Sequence, residues 1–441
     1  MIPVNDLPPA MASEMMLQYL WEHRLWEYGS LRTIDGRRID VIDQGRRNSD
    51  AGPDFFNAKI KIDGQEWAGN IEIHDRASDW HRHGHDSDAA YDSVVLHVVN
   101  KSDCEITRPD GQAIPQLELT FSPEFRQRYD AMVLNSSAPL ACGKELSEIP
   151  MLYITDWLTS LGYERLYFKV ERVNQALERL GGDWQATAYV TLARALGFST
   201  NSDAFERLAY ATPLRCLLKH RSDQQLLEAT LFGQAGFLDE RPSDPADADY
   251  LTQLRYDYGF MCAKYNLERP ETLGWKMARM RPPNFPHRRI AALVALLLDG
   301  FRLGRAFAHV VDEASARQLF EVEINGFWIN HYTFNAPSVY TPRAFSPSSV
   351  TSLLINAVVP LLYAYGLYFG DDEKMEHAIG ILQSLPAENN SVTRILTDFG
   401  VPCRDAFTSQ AIIQLRRSYC EPRKCLFCRL GHRMLARKVR P

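Results

Sequence analysis

The hydrophobic pattern of this chain changes its period close to Pro150, and that change constrains the fold more than any other feature. Upstream of Pro150, apolar and polar residues alternate in short runs, as they do in β-strands with one buried face. Downstream, apolar residues recur about every 3.6 positions, the period of an α-helix with one buried face. The sequence therefore predicts a multidomain protein with an N-terminal α/β module followed by a large all-α region.

The predicted α/β module has the order helix, three strands, helix and strand. Its first helix covers residues 13–28, with Ser13 as the N-cap and Gly29 as the stop signal. A polar segment at residues 78–92 supplies the second helix, and Asp63-Gly64 is a hairpin turn between the second and third strands. The strands are predicted at residues 38–43, 55–62, 66–74 and 94–99.

The borders of the all-α region follow from the same patterns. A linker near residues 135–149 separates a domain at 1–140 from a helical domain at 150–400. Residues 401–441 form a basic, cysteine-rich segment that is either separate or part of the helical domain. Helices are predicted at residues 151–180, 183–196, 202–219, 223–235, 247–265, 286–301, 312–322, 350–369, 373–384 and 405–418.

Composition limits the class of protein and its location. The chain has 441 residues, of which 45% are hydrophobic and 24% charged, and a net charge of −6, all ordinary for a globular protein. This charge does not indicate nucleic-acid binding, although a local basic patch can provide it. The N-terminus lacks a secretory signal, and the apolar stretch at 353–369 contains Asn356 and Pro360, which favours a buried helix over a membrane span. We therefore expect a cytoplasmic protein without membrane contact, and the sequence indicates no particular protein partner.

Polar side chains gather at one end of the central hairpin. Asp54 occupies the first position of its strand, and Glu72 and His74 lie two residues apart on one face of the return strand. Two carboxylates form a hard oxygen site suited to Mg²⁺ or Mn²⁺, and such a cation can polarise a phosphoryl group and generate hydroxide. The alternative is structural: Asp54 caps a turn, and Glu72 pairs with an arginine, Arg46 or Arg47.

The register of the hairpin decides whether this site can form. A two-residue turn at Asp63-Gly64 pairs Asp54 with Ile73 and so directs it to the wrong side of the sheet. A three-residue turn with a bulge brings Asp54 beside His74 instead. The metal hypothesis therefore predicts a bulge in this hairpin.

Three histidines follow the hairpin: His81, His83 and His85. They can supply metal ligands or contact substrate phosphate groups, and their position next to the carboxylates favours substrate contact. Their alternating spacing matches no standard zinc site. The alternative is a solvated polar turn, and we interpret His97 on the next strand as a satisfied core histidine.

Four cysteines near the C-terminus, Cys403, Cys420, Cys425 and Cys428, precede His432. A Cys-x2-Cys pair is a common chelate because both sulfurs can reach one metal. We expect a zinc ion held by the last three cysteines and either His432 or Cys403. A 4Fe-4S cluster held by the four cysteines is the second candidate, and four free thiols are the structural alternative.

Four arginines surround the start of the helix predicted at residue 286: Arg279, Arg281, Arg288 and Arg289. Arginines at a helix N-terminus can bind a phosphate group together with the backbone N–H groups, so we predict that these four bind substrate. The alternative is that they pair with acidic neighbours.

The hairpin residues resemble a known nuclease motif. Pro53-Asp54 followed by Glu72-Ile73-His74 is similar to the motif of the PD-(D/E)xK nuclease superfamily, whose core has the order αβββαβ. The resemblance implies a restriction-endonuclease-like fold in which Asp54 and Glu72 hold the metal. The last motif residue is usually a lysine that positions or activates water, and His74 stands there. Some members add a glutamate from the first helix, for which Glu22 is available.

Nearly the whole chain is similar to a bacterial family that carries a domain of unknown function (number 2851). This resemblance implies no activity. It is carried by residues 48–60, 67–74, 78–80, 90–99, 232–236, 279–286 and 419–428.

Two functions of different classes follow from these residues. The first is a Mg²⁺- or Mn²⁺-dependent nuclease or phosphodiesterase acting on nucleic acid, in which Glu22 or Asn70 assists the metal-binding carboxylates. The second is a catalytically inactive nucleic-acid-binding or scaffold protein with a nuclease-like shell, which the missing lysine favours. An open site whose carboxylates reach one cation favours the enzyme, and a buried, arginine-paired arrangement favours the second function.

Overall fold

The computed structural model of the protein describes residues 9–26, 29, 31–48, 50–108, 111–134, 138, 140–242 and 244–436. They form two compact units, the first drawn from residues 1–159, 390–401 and 412–441, and the second from 160–389 and 402–411. Most of the C-terminal segment therefore joins the α/β module, a grouping that differs from the predicted domain borders. The reason is apolar burial, since Cys425, Leu426 and Leu435 belong to the hydrophobic core of the first unit.

A mixed sheet forms the centre of the first unit. Its order is β1-β3-β4-β5-β6, and β2 also pairs with β3. β1, β3 and β4 are antiparallel, whereas β4, β5 and β6 are parallel. The strands are β1 (Ile39–Asp43), β2 (Arg46–Arg47), β3 (Phe55–Ile62), β4 (Gln65–Arg76), β5 (Val94–Lys101) and β6 (Gln116–Glu118), and a separate pair in the second unit comprises β7 (His331–Thr333) and β8 (Ala336–Pro337).

Helices make up most of the remaining structure. They are α1 (Pro9–Glu22), α2 (Asp79–Arg82), α3 (Pro123–Tyr129), α4 (Met151–Arg179), α5 (Trp184–Leu196), α6 (Ser202–Ala211), α7 (Leu214–Leu218), α8 (Gln224–Ala235), α9 (Pro245–Tyr265), α10 (Pro286–Leu298), α11 (Arg302–Ala306), α12 (Glu313–Gln318), α13 (Pro347–Leu353), α14 (Val359–Phe369), α15 (Asp372–Ser384), α16 (Ser391–Thr397), α17 (Ala406–Leu415) and α18 (Arg429–Leu435). The predicted division into an N-terminal sheet region and a following helical region is confirmed.

Helix α1 packs on β4 and β5 through an apolar stripe formed by Met16, Leu17, Leu20 and Trp21, all fully buried. It ends earlier than the sequence predicts. Arg24 adopts a left-handed backbone conformation with φ of 53°, and its guanidinium donates to the Ile42 carbonyl. Residues 27 and 28 of the predicted helix lie outside the described residues.

A proline causes one difference between predicted and observed helices in the second unit. The helix predicted at 202–219 is divided into α6 and α7 because Pro213 lacks the N–H needed to continue a helix.

Among the described residues, one helical stretch, Pro347–Phe369, is long and apolar enough to cross a membrane, and 61% of its most apolar window is buried. That burial is typical of the core helix of a soluble protein.

Candidate metal centre

A bulge in β3 places Asp54 opposite Glu72. The Asp63-Gly64 turn is a regular two-residue turn, since Ile62 pairs with Gln65, so the predicted three-residue turn is wrong. A bulge occurs instead further along β3, between Phe55 and Ala58, where Asn57 has a φ of 58°, and it brings Asp54 to Glu72 and not beside His74 as predicted. As a result the backbone N–H of Asp54 donates to Glu72 Oε2 at 3.1 Å.

The loop before β3 is built to present Asp54. The Asn48 side-chain amide donates to the carbonyls of Asp50, Ala51 and Pro53, which fixes the turn. The Asp54 carboxylate accepts from Gln18 Nε2 of α1 at 2.8 Å and from the Ile73 backbone N–H at 3.0 Å. Both of its oxygens therefore have protein donors.

The acidic residue that α1 presents to Asp54 is Glu14, not the predicted Glu22. Glu22 forms an ion pair with Arg47 at 2.9 Å. Glu14 lies one helical turn before Gln18, and the charge of Asp54 adds to burial in raising the pKa of Glu14 to about 8. The structure thus replaces the predicted helix glutamate by one two turns nearer the N-terminus of α1.

Glu72 faces histidines rather than an arginine. Its Oε1 lies 3.4 Å from His74 Nε2 and 3.4 Å from His85 Nε2. The proposed alternative partner Arg47 is occupied by Glu22. Glu72 is 5% exposed and His74 1% exposed, so this pair forms the buried floor of the site.

His74, His83 and His85 converge on one point. One ring nitrogen from each lies within 4.8 Å of the others, and His74 Nε2 is 3.1 Å from His83 Nδ1. His83 ends α2, Gly84 turns the chain with a φ of 78°, and His85 stacks on Tyr91 at a centroid distance of 3.7 Å. Because His83 is exposed while His74 is buried, the cluster opens to solvent on one side.

His97 of β5 orients His74 and is not the satisfied core residue that the sequence suggested. Its Nε2 lies 2.8 Å from His74 Nδ1, and its own Nδ1 is buried with no partner among the described residues. If His74 Nδ1 carries the proton and donates it to His97, the lone pair of His74 Nε2 points into the cluster.

Burial sets the charges of this centre. It lowers the pKa of His74 to about 2 and that of His97 to about 3, with neighbouring histidines adding to the shift. It also raises the pKa of Asp54 to about 7, with help from Glu72, and the pKa of Glu72 to about 8. Neutral imidazoles with free lone pairs are the form that binds metals, and a cation would favour ionised Glu72.

The converging ligand atoms are ring nitrogens of His74, His83 and His85, and Glu72 Oε1 lies 3.4 Å from two of these residues, His74 and His85. The His85 nitrogen is buried and has no hydrogen-bond partner among the described residues, as expected for a ligand atom awaiting a cation. Three imidazoles and one carboxylate suit Zn²⁺, Mn²⁺ or Fe²⁺ better than Mg²⁺, which prefers oxygen ligands.

Two other predicted residues of this module lie apart from the cluster. The Asn70 side chain accepts from the Asn57 backbone N–H at 3.1 Å and donates to Ser93 Oγ at 2.8 Å, so it braces the bulge. His81 is exposed and its Nδ1 lies 2.7 Å from Asp86 Oδ2. Their positions favour a structural role for Asn70 and a solvated role for His81.

The four predicted arginines separate into two pairs. Arg279 and Arg281 are exposed, and Arg279 has a φ of 60°. Arg288 and Arg289 are buried in the first turn of α10. Arg281, Arg288 and Arg289 line one cavity in the second unit.

The C-terminal cysteines also regroup. Cys403 belongs to the second unit, whereas Cys420, Cys425 and Cys428 belong to the first. His432 turns towards α1, where its Nδ1 lies 2.7 Å from Tyr19 Oη. Neither predicted fourth ligand therefore joins the three cysteines within the first unit.

Cys142 is the cysteine that meets them, and the sequence did not indicate it. Cys142 packs against the core cluster that contains Cys425. The thiol of Cys420 interacts electrostatically with those of Cys142, Cys425 and Cys428. Burial, reinforced by these neighbours, raises the pKa of Cys142 and of Cys425 to about 12. Four neutral thiols thus share one buried region.

Comparison with known proteins adds the family alone. The family model described as a protein of unknown function (DUF2851) matches residues 14–391. No curated protein and no solved structure matches the chain.

Proposed function

Since the chain belongs to the DUF2851 family of proteins of unknown function, its reaction has to be inferred from its own site, and we propose a metal-dependent nuclease or phosphodiesterase. The observation that carries the proposal is the convergence of three histidine nitrogens, from His74, His83 and His85, with Glu72 Oε1 3.4 Å from two of these histidines. Nucleic acid is the proposed substrate because the αβββαβ order and the Asp54, Glu72 pair resemble the PD-(D/E)xK nucleases.

Each residue of the centre has a distinct part in this proposal. His74, His83, His85 and Glu72 hold the cation, and His97 orients His74 through the 2.8 Å contact. The bound cation would polarise a phosphoryl oxygen and acidify a water molecule. Asp54 positions Glu72 through its backbone N–H, while its carboxylate is held by Gln18 and Ile73.

Substitutions of His83 and of its neighbour His81 test the proposal. The full-length protein is freed of metal with a chelator and titrated calorimetrically with Mn²⁺, Zn²⁺ and Mg²⁺. Cleavage of single- and double-stranded DNA and RNA is then measured with each metal. We expect His83→Ala and Glu72→Gln to lose metal binding and cleavage, and His81→Ala to keep both, because His81 is exposed, pairs with Asp86 and lies outside the histidine cluster.

The results distinguish the two functions and also test the metal centre. Metal binding without cleavage of any substrate favours the inactive binding or scaffold protein. The missing lysine and the two hydrogen bonds that occupy the Asp54 carboxylate also favour that function. No metal binding in the wild type, or equal binding in all three variants, refutes the centre itself.

We also propose that Cys142, Cys420, Cys425 and Cys428 hold a structural zinc ion or a 4Fe-4S cluster. The support is the electrostatic interaction among these buried thiols, and cysteines are the usual ligands of either group. The Trp157 side chain faces Cys428 and lowers the pKa of its thiol against the effect of burial. Its buried Nε1 has no other hydrogen-bond partner among the described residues, so a thiolate at Cys428 would be a suitable acceptor for it.

Elemental analysis and absorption spectra of anaerobically purified protein distinguish zinc from iron and sulfide. Cys142→Ser should lower the metal content, whereas Cys403→Ser, the matched change in the second unit, should leave it unchanged. The reverse pattern would restore the original assignment of Cys403.

A further inference from the structure

The cavity at the start of α10 is lined by arginines and, among the described residues, by no acidic side chain. It has a volume of about 480 Å³ and is lined by Arg281, Arg288, Arg289 and Arg343. Among the described residues that line it, none is an aspartate or a glutamate. Arg343 pairs at 2.9 Å with Glu323, which lies outside the lining. The other three guanidinium groups have no acidic partner among the residues that line the cavity.

Two of these guanidinium groups are buried. Arg288 is 3% exposed and Arg289 6% exposed, and no carboxylate of the described chain lies within ion-pair distance of either. Burial lowers the pKa of each to about 10, so both stay charged at neutral pH. Buried charges without counter-charges are strongly unfavourable, so an anion from outside would complete this site.

The partners of the two arginines are neutral. Arg288 donates to the backbone carbonyls of Trp328, His331 and Pro342, which hold it in place without cancelling its charge. Arg289 donates through Nη2 to Asn284 and lies over the Phe198 ring at 4.1 Å. Its Nε is buried and has no acceptor among the described residues.

The helix itself adds to the positive potential. Arg288 and Arg289 occupy the first turn of α10, a helix of 13 residues whose N-cap, Phe285, offers no side-chain cap. The positive end of the helix dipole disfavours cations there and favours an anion. Serines also line the cavity, at Ser346, Ser348 and Ser349.

We propose that this cavity binds the phosphate group of a small ligand. A phosphate offers oxygens in several directions, so it can accept from arginines and from serines of the lining at once. The volume of about 480 Å³ lies within the range of small-molecule sites, which fits a mononucleotide better than a polymer. The site lies within the second unit, so it does not depend on the metal centre.

Calorimetric titration of the full-length protein tests the proposal. The probes are inorganic phosphate, pyrophosphate, a nucleoside monophosphate, a single-stranded oligonucleotide and, as a dianion without phosphate, succinate, all at one ionic strength. We expect saturable binding of the three small phosphates and binding of succinate weaker by about tenfold or more.

Two variants and a control identify the site. Arg289→Gln should weaken phosphate binding by about tenfold or more, because a charge-assisted hydrogen bond is lost. Ser348→Glu, at an exposed lining position, should weaken it as strongly and raise the melting temperature of the unliganded protein, since its carboxylate supplies the counter-charge. Arg241→Gln removes an exposed cation outside the cavity and should change nothing.

The proposal fails if none of the small phosphates binds, if succinate binds as tightly, or if only the oligonucleotide binds. It also fails if Ser348→Glu binds phosphate like the wild type, a result that does not depend on whether Arg289→Gln folds.

Discussion

The histidine centre of the first unit and the arginine cavity of the second bury ionisable groups with opposite consequences. Burial lowers the pKa of His74 to about 2, so that histidine is neutral throughout the physiological range. Burial lowers the pKa of Arg289 only to about 10, so that arginine remains a cation. The first site therefore presents lone pairs to a cation, and the second presents N–H donors to an anion.

The difference originates in the ordinary pKa values of the two side chains. Imidazole titrates near neutrality, so the loss of solvation is enough to discharge it. Guanidinium titrates so far above neutrality that the same loss leaves its charge intact. Burial alone therefore does not define a site, because the residue type determines whether the buried group binds a cation or an anion.

The pH dependence of ligand binding should separate the two sites most strongly. Binding of a cation displaces the proton that Glu72 carries below its pKa of about 8, whereas the buried histidines are already neutral. We expect Mn²⁺ affinity to fall by about fiftyfold from about pH 8 to about pH 6.

Sulfate is the matched probe for the arginine cavity, because its own charge is constant over that range. Its affinity should stay nearly unchanged, since the arginines titrate near 10. Calorimetry at three pH values measures the affinities for Mn²⁺ and for sulfate. A Mn²⁺ affinity that does not change with pH would contradict the role assigned to Glu72.

Glu72→Gln should stabilise the metal-free protein at alkaline pH. The pKa of Glu72 is raised from 4.5 to about 8 in the folded protein, so its favourable contribution is complete below 4.5 and is lost as the pH rises to about 8. Glutamine does not ionise, so the free energy of unfolding should rise by on the order of 2 kcal/mol at alkaline pH and little at acidic pH.

Urea unfolding of chelator-treated protein at both pH values measures this effect. Glu66→Gln, on the exposed part of β4, is the control and should show no such dependence on pH. If the two variants respond to pH alike, burial of a charge at Glu72 is not the cause.

Gly84→Ala should have the smallest effect. A Cβ at Gly84 would have no heavy atom within 4 Å, so only the left-handed φ of 78° opposes the substitution. We expect a loss of about 1 kcal/mol in stability and a small decrease in metal affinity, with the stoichiometry unchanged. Complete loss of metal binding would mean that the turn between His83 and His85 tolerates no strain.

The hairpin shows how far local patterns reach into the site. Alternation predicted β3 at its observed bounds and placed Glu72 and His74 on one face of β4. The need for a bulge was also predicted, because a regular hairpin would have turned Asp54 away. Its position was not, since the φ of 58° at Asn57 depends on contacts such as that with the Asn70 side chain.

Helix α1 and the cysteines show where local patterns stop. Glu14 and Gln18 share a face of α1 at helical spacing, but only the packing of Trp21 and its neighbours determines which face meets Asp54. Cys142 is separated from Cys420 by most of the chain, so no spacing rule links them. The one signal in the sequence for Cys142 was its residue type, a cysteine outside the C-terminal group.

The sequence by itself determined the division into a sheet region and a helical region and the positions of most strands and long helices, because the periods of strand and helix are local properties of neighbouring residues. It also determined that histidines and carboxylates would lie near the end of one hairpin. Only the tertiary structure decided which of them converge, because the position of the bulge and the rotation of α1 are set by packing. The charges of the two sites were decided there too, since a pKa follows from burial and from neighbours that are distant in the chain.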